Sequence, residues 1–243
     1  MTAKILSATV SEHAGRWFVS VLVEEDRADA PQHEAVCGVD VGISALATLD
    51  DGTQFANPKA LAQAQVQLKR AQRRVSRKVK GSQNRKKAVK RLQVIHAKVG
   101  NIRKDACHKA TTAIAKQYGV IGIEDLNIAG MVKNHHLAEA VSDANFAAVH
   151  RQLTYKSAWR GGQVIKVDRF YPSSKTCSAC GVKKPILKLS ERTFHCDTCG
   201  VTLNRDVNAA RNIKHTVSST GINAPGEERL QPTGSAPQRT EKK

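Results

Sequence analysis

No apolar run in the chain approaches the roughly 18–20 residues that a membrane-spanning helix requires. The opening residues, MTAKILSATVSEHAGRW, also lack a positive segment followed by an apolar one, so no secretory signal is read there. The expectation is a cytoplasmic protein with no membrane partner. Acidic residues are scarce: 21 Asp and Glu stand against 39 Lys and Arg, a formal net charge of +18. Such an imbalance argues for a polyanionic partner, with nucleic acid ahead of an anionic membrane. Apolar residues are not scarce. At 40% of 243 residues they exclude wholesale disorder and allow one good-sized domain, or a domain with a small module.

The positive charge is concentrated in one place. Residues 69–109 hold 16 of the 39 Lys and Arg and one of the 21 acids, Asp105. Outside that stretch bases and acids nearly balance. The candidate nucleic-acid contacts are Lys69, Arg70, Arg73, Arg74, Arg77, Lys78, Arg85, Lys86, Lys87, Lys90 and Arg91. A solvated helical face is the plainer reading of a charge run, and the size of the excess weighs against it here.

Periodicity places these residues. Residues 4–24 alternate as two strands around the turn EHAG, and the polar, Pro-containing stretch 25–35 reads as a linker. Short strands are expected at 35–42, 43–50 and, after Asp51-Gly52, at 53–58, which implies an antiparallel meander. Leu61, Ala64, Leu68, Ala71, Val75 and Val79 then recur at helical spacing, as do Val89, Leu92, Ile95, Val99, Ile102, Ala106, Ala110 and Ile114. With a break at residues 81–84, this is a helical hairpin carrying the basic stretch on its outer face. A strand at 120–125, a helix at 141–160, a strand at 163–168, a cysteine-bearing segment and a helix at 205–215 complete the pattern. From about Val217 the composition predicts a disordered tail. The order suits an α/β, RNase H-like core with insertions.

Four of the six cysteines form two pairs, Cys177/Cys180 and Cys196/Cys199, in the spacing C-x2-C-x15-C-x2-C. That spacing predicts one structural Zn²⁺ held by four thiolates, with no position left for a catalytic water. His195 is not needed as a ligand, and Cys37 and Cys107 read as small buried hydrophobes. Lys183, Lys184 and Lys188 make a positive loop on this module, which is as readily a solvated loop as a contact surface.

Three carboxylates lie at the ends of elements: Asp40 in GVDVG, Glu124 in VIGIED and Asp206 in LNRDVNAARNI. Acids held by rigid elements beside solvent suit Mg²⁺ or Mn²⁺, and two such ions can drive phosphodiester cleavage. Spacing alone does not separate them from Asp50, Asp51 and Asp125, and Asp206 could simply complement a helix dipole.

The words GVDVG, IEDLN with IAGM, and RDVNAARNI resemble the three RuvC nuclease motifs of the transposon-associated OrfB/TnpB family, relatives of the type V CRISPR effectors. DRFYPSSKTCSACG and FHCDTCG are similar to that family's zinc ribbon, and they fall between the second and third motifs as they do there. The resemblance covers residues 4–215. It implies an RuvC-like α/β core with a long helical hairpin insertion and a C-terminal zinc ribbon. It implies an RNA-guided, metal-dependent DNA endonuclease associated with transposition, with Asp40, Glu124 and Asp206 as catalytic triad and holders of two Mg²⁺ or Mn²⁺. DNA, and a guide-type RNA in the full-length form, are the implied partners, with a nucleoid-associated location. The rival reading is a non-catalytic fragment that binds transposon RNA or DNA without cleaving it.

Two features depart from the family pattern. Asn204 stands where the family has the first acid of a D-R-D word, and only 39 residues precede Asp40. The family's full-length proteins carry a longer N-terminal wedge and recognition region, so the chain resembles their C-terminal nuclease half. The expected units are a wedge remnant and linker at 1–34, a core at 35–172 with its hairpin at 59–116, a ribbon at 173–203, a final helix at 204–216 and a tail at 217–243.

Overall fold

The computed structural model describes residues 4–25, 34–188 and 190–219. Five short strands form the central sheet: β3 (Val36–Asp40), β4 (Ala45–Leu49), β5 (Gln54–Ala56), β6 (Val120–Glu124) and β7 (Gln163–Val167). Two further strands, β1 (Lys4–His13) and β2 (Arg16–Glu24), precede them as a separate antiparallel ribbon. The central order is β5-β4-β3-β6-β7. The first three are an antiparallel meander, whereas β6 and β7 run parallel to β3. Parallel neighbours need crossovers, and helices supply them here. The helices α1 (Ala60–Ser76) and α2 (Gln83–Gln117) lie between β5 and β6; α3 (Ile128–Lys133), α4 (Ala138–Ala144) and α5 (Phe146–Ala158) lie between β6 and β7.

Alternation along β3 and β6 divides the sheet into two unlike faces. Cys37, Val39, Ile121 and Ile123 pack with Cys107, Ala110 and Ile114 of α2 and with Val149 and Leu153 of α5. The opposite face receives α6 (Arg205–Ser219), whose Ile213 and Val217 pack with Val120 and Val167. Two glycines make that approach possible. Gly38 and Gly122 are register partners on β3 and β6. A Cβ on Gly38 would lie 1.9 Å from the Ala210 carbonyl oxygen, and one on Gly122 would lie 2.7 Å from Val217 Cγ2. The helix therefore rests on bare strand backbone at both positions.

The helical hairpin is long, since the 35 residues of α2 at about 1.5 Å each reach roughly 50 Å. Leu68 and Val75 of α1 and Ala88 and Val99 of α2 are buried along it. Ser82 caps α2 by accepting from the Arg85 N–H at 3.2 Å. Lys59, at the start of α1, has φ 46° and no capping side chain. Asp143 of α4 supplies the missing acceptor instead, at 2.9 Å from the Leu61 N–H and 3.3 Å from that of Ala62. A carboxylate 82 residues away in the chain thus fixes the base of the hairpin.

Several boundaries differ from the sequence expectations. The helix expected at 141–160 is two helices broken at Asn145, whose φ of 57° lies outside the right-handed helical region. Residues 217–219, expected to open a disordered tail, belong instead to α6, because Val217 is buried against the sheet. Most of the expected linker (26–33) and the tail from 220 lie outside the described residues. The β1–β2 ribbon turns at Ala14-Gly15, both at positive φ, as a two-residue hairpin loop demands. Its Trp17 is 71% exposed, and Ile5, Val10 and Val19 are also open to solvent.

Candidate functional site

Asp40 is the last residue of β3 and Glu124 the last of β6. Val39 pairs with Ile123, so the next residues, both carboxylates, end adjacent parallel strands side by side. Each lies two residues beyond a glycine on which α6 rests, and the side-chain period of two puts both on the α6 side of the sheet. The third acid, Asp206, is in the first turn of α6. Three distant segments thereby converge at one edge of one helix–sheet contact.

Asp40 feels the charge of the other two acids. Burial, and then the charges of Glu124 and Asp206, push the Asp40 carboxyl well above the usual carboxylate range, while Arg205 opposes the rise. Burial also raises Glu124, against a hydroxyl hydrogen bond donated by Ser173 to its Oε1. Arg205 lies 3.5 Å from an Asp206 oxygen, both side chains being 14% exposed. One guanidinium against three half-buried carboxylates leaves negative charge uncompensated. A hard divalent cation with oxygen preference is the partner such a donor set fits.

The competing acids are otherwise engaged. Asp50 accepts from the Gly38 N–H at 3.0 Å and pairs with Lys214 at 2.6 Å, which ties β3, β4 and α6 together. Asp51 accepts the Thr53 N–H across its own turn at 2.7 Å. Asp125 is held by Arg169 and Lys166 at 2.5 and 3.5 Å, which keep its carboxyl below the ordinary value. Asn204 accepts from the N–H groups of Asp206 and Val207 at 2.8 and 3.2 Å. Its amide oxygen caps α6 as a carboxylate would, so the departure from the D-R-D word costs a charge and keeps the cap.

The four spaced cysteines do come together. Cys177 Sγ lies 3.6 Å from Cys199 Sγ, and Cys180 Sγ lies 3.6 Å from Cys196 Sγ. All four sulfurs fall within 4.8 Å of one another. A tetrahedron with metal–sulfur bonds of about 2.3 Å has edges of roughly 3.8 Å, so the cluster fits a zinc ion. Hydrogen bonding among the thiols splits them: the Cys199 N–H is foremost in holding Cys196 down to about 6, while Cys180 and Cys199 are raised. Gly181 and Gly200 close the two knuckles at φ 76° and 73°, a region glycine occupies without strain. Phe194 of β8 (Thr193–His195), which pairs with Leu203 of β9 (Thr202–Asn204), packs with Cys177 and Cys196 beneath the site. His195 bonds Thr202 instead, at 2.7 Å. Cys37 and Cys107 are buried in the core.

Ten of the eleven candidate cations on the hairpin are exposed, and none of those ten is in an ion pair among the described residues. Arg85 differs. It is half-buried, and its guanidinium donates to the carbonyls of Val75 (3.0 Å) and Lys78 (3.4 Å), so it closes the hairpin turn. Sequence reasoning missed Ser173, Asn208 and Asn212. Their one available signal was a pair of Asn at i and i+4 on the inward face of an amphipathic helix.

No helix among the described residues is long and apolar enough to cross a membrane. Residues 8–135 match the OrfB_IS605 family model, described as "Probable transposase", and residues 146–213 match the Cas12f1-like TNB domain. A Streptomyces pristinaespiralis protein named "Putative RNA-guided DNA endonuclease" is 44% identical over 87% of this chain and 52% of its own length. A similarly named Escherichia coli protein is 38% identical over 88% of this chain and 57% of its own. The chain thus spans about half the length of the curated relatives it matches. Among solved structures, the Cas12f1–sgRNA–target DNA complex aligns with a TM-score of 0.55 at 19% identity. That alignment covers 84% of this chain and 55% of the other, a likeness of α/β fold.

Proposed function

The chain belongs to the OrfB_IS605 family, and we propose that its central sheet and α6 form an RNase H-like, RuvC-type core that cleaves DNA with divalent cations. The observation that carries this reading is the convergence of Asp40, Glu124 and Asp206, with Asp40 raised by burial and by the other two charges. These residues would hold two Mg²⁺ or Mn²⁺. When bound, such ions activate an attacking water and stabilise the leaving oxygen of a phosphodiester. The chain itself supplies the orientation: strand ends fix Asp40 and Glu124, and α6, seated on Gly38 and Gly122, brings Asp206 to them.

The exposed cations of the α1–α2 hairpin would grip phosphate backbone, an interaction that carries affinity without reading sequence. Names of the relatives support guidance by RNA, in which base pairing selects the target. The four-cysteine module would hold one Zn²⁺ as a structural tie. The units proposed are strands and a linker at 1–34, the core at 35–172 with its hairpin at 59–116, the zinc module at 173–203, the last helix at 204–216 and a tail at 217–243, whose residues 217–219 continue that helix. Nucleic-acid binding without cleavage would need only the hairpin, and it leaves the acid cluster without a role.

Asp40→Ala is the test. Mg²⁺-dependent cleavage of single- or double-stranded DNA, with and without RNA from the flanking locus, should be abolished. Zinc content and DNA affinity should stay near those of the unaltered chain. Cleavage that persists in Asp40→Ala would overturn the assignment.

A further inference from the structure

The turn between β7 and the first cysteine knuckle touches both the acid cluster and α6. Its start is rigid: the Pro172 carbonyl accepts from the N–H groups of Lys175 and Thr176 and from the Thr176 hydroxyl, each at 3.0 Å. Two buried asparagines of α6 hold the turn from one side. Asn212 Nδ2 donates to the carbonyls of Ser173 (2.7 Å) and Thr176 (2.6 Å). Asn208 Nδ2 donates to the Thr176 carbonyl at 2.7 Å, and its Oδ1 accepts the Ser178 N–H at 2.9 Å. The cysteine ligand Cys177 sits between those last two contacts. Asn208 is itself two residues along the helix from Asp206.

Ser173 is 3% exposed, and its hydroxyl donates to Glu124 Oε1. The other oxygen, Oε2, has no hydrogen-bond partner among the described residues. A half-buried carboxylate with one oxygen held and the other open has its approach direction set in advance, which favours a cation arriving from the open side. A packing role alone would not need the hydroxyl, since alanine fills almost the same volume.

We infer that Ser173 is a positioning residue for Glu124, and that Asn212 acts through it by fixing the turn from the helix that carries Asp206. The inference rests on the reading of the three acids as the cation site. It makes the acid cluster and the cysteine module one mechanical unit, joined at residues 172–178.

Mn²⁺ binding followed by the loss of free-ion paramagnetic resonance signal, together with cleavage rate, tests this on the full chain. Ser173→Ala should weaken Mn²⁺ binding by about 10-fold, at the lower end of what losing a partner behind a metal ligand costs. The cleavage rate below saturating Mn²⁺ should fall by a similar factor, with thermal unfolding and zinc content unchanged. Ser173→Thr, which keeps the hydroxyl, should restore both. Asn212→Ala should weaken binding in the same direction and add little when combined with Ser173→Ala; if it does not fold, the two Ser173 variants decide alone. Unchanged Mn²⁺ affinity and rate in Ser173→Ala, in a protein where Asp40→Ala lowers both, would overturn the inference and leave the cation site standing. Asp40→Ala without effect on either would overturn both.

Discussion

Like charges are gathered at two places in this molecule, and the fold treats them in opposite ways. At the ends of the interior strands β3 and β6, Asp40, Glu124 and Asp206 are half-buried, and the charges of the last two raise the Asp40 carboxyl. Around the turn of the α1–α2 hairpin, ten cations between residues 69 and 91 stand exposed along roughly 15 Å of helix length. Water and salt screen the second cluster, so it costs little to maintain. The first is shielded from water, and its repulsion is relieved only by a proton or a small cation. Burial therefore decides what each cluster can bind: a compact hard ion in one case, an extended polyanion in the other.

That contrast can be broken at either end. Removing four hairpin charges together, by Arg73→Ala, Arg74→Ala, Lys86→Ala and Lys87→Ala, should have the largest effect. DNA affinity near 0.1 M salt is expected to fall by about 10–100-fold, and the slope of log affinity against log salt by up to about 4. Filter binding across a salt series measures both, and Mn²⁺ affinity at the acids should not move. An unchanged slope would remove the hairpin from the binding surface.

A smaller effect is expected from Gly38→Ala. The added Cβ would meet the Ala210 carbonyl at 1.9 Å and force α6 off the sheet. Overpacking of this kind costs about 1–3 kcal/mol, which should lower the unfolding midpoint by roughly 3–10 °C. Because Asp206 rides on α6, Mn²⁺ affinity should fall in the same variant, whereas DNA binding by the hairpin should hold. A variant as stable as the unaltered chain would show that the helix does not need the bare strand.

The smallest effect tests the repulsion itself. Asp40→Asn should raise the unfolding midpoint of the metal-free protein by about 3 °C, equivalent to about 1 kcal/mol. The sign follows from the raised Asp40 carboxyl. A group with a folded value above its unfolded one lowers stability as pH rises from the unfolded value through the folded one. The gain should thus be absent below about pH 4 and grow above it. Mg²⁺ should stabilise the unaltered chain and not the variant, as differential scanning fluorimetry would record. Destabilisation by Asp40→Asn at neutral pH would mean that the cluster is not repulsive.

Much of this was legible in the residues because it is local. The helical spacing of Leu68, Val75 and Val99, the two C-x-x-C pairs and the run of Lys and Arg each depend on neighbours within a turn or two. The three acids were legible only through the words around them. Nothing in the spacing separated Asp40 from Asp50, and the separation came from Lys214 and the Gly38 N–H, which occupy Asp50 in the folded chain. Arg85 looked like its ten neighbours until the turn took its guanidinium. The break at Asn145 was hidden because either side of it has helical composition.

What the sequence by itself determined is the set of parts: strands ending in acids, a basic helical hairpin, and a four-thiol site with the spacing of a zinc knuckle pair. Which parts meet was decided by the tertiary structure. The pairing of Gly38 with Gly122 sets Asp40 beside Glu124, Asp143 reaches across 82 residues to start α1, and Ser173 comes to Glu124 from 49 residues away. Such contacts depend on sheet register and helix packing, which sum over the whole core. No window along the chain contains them.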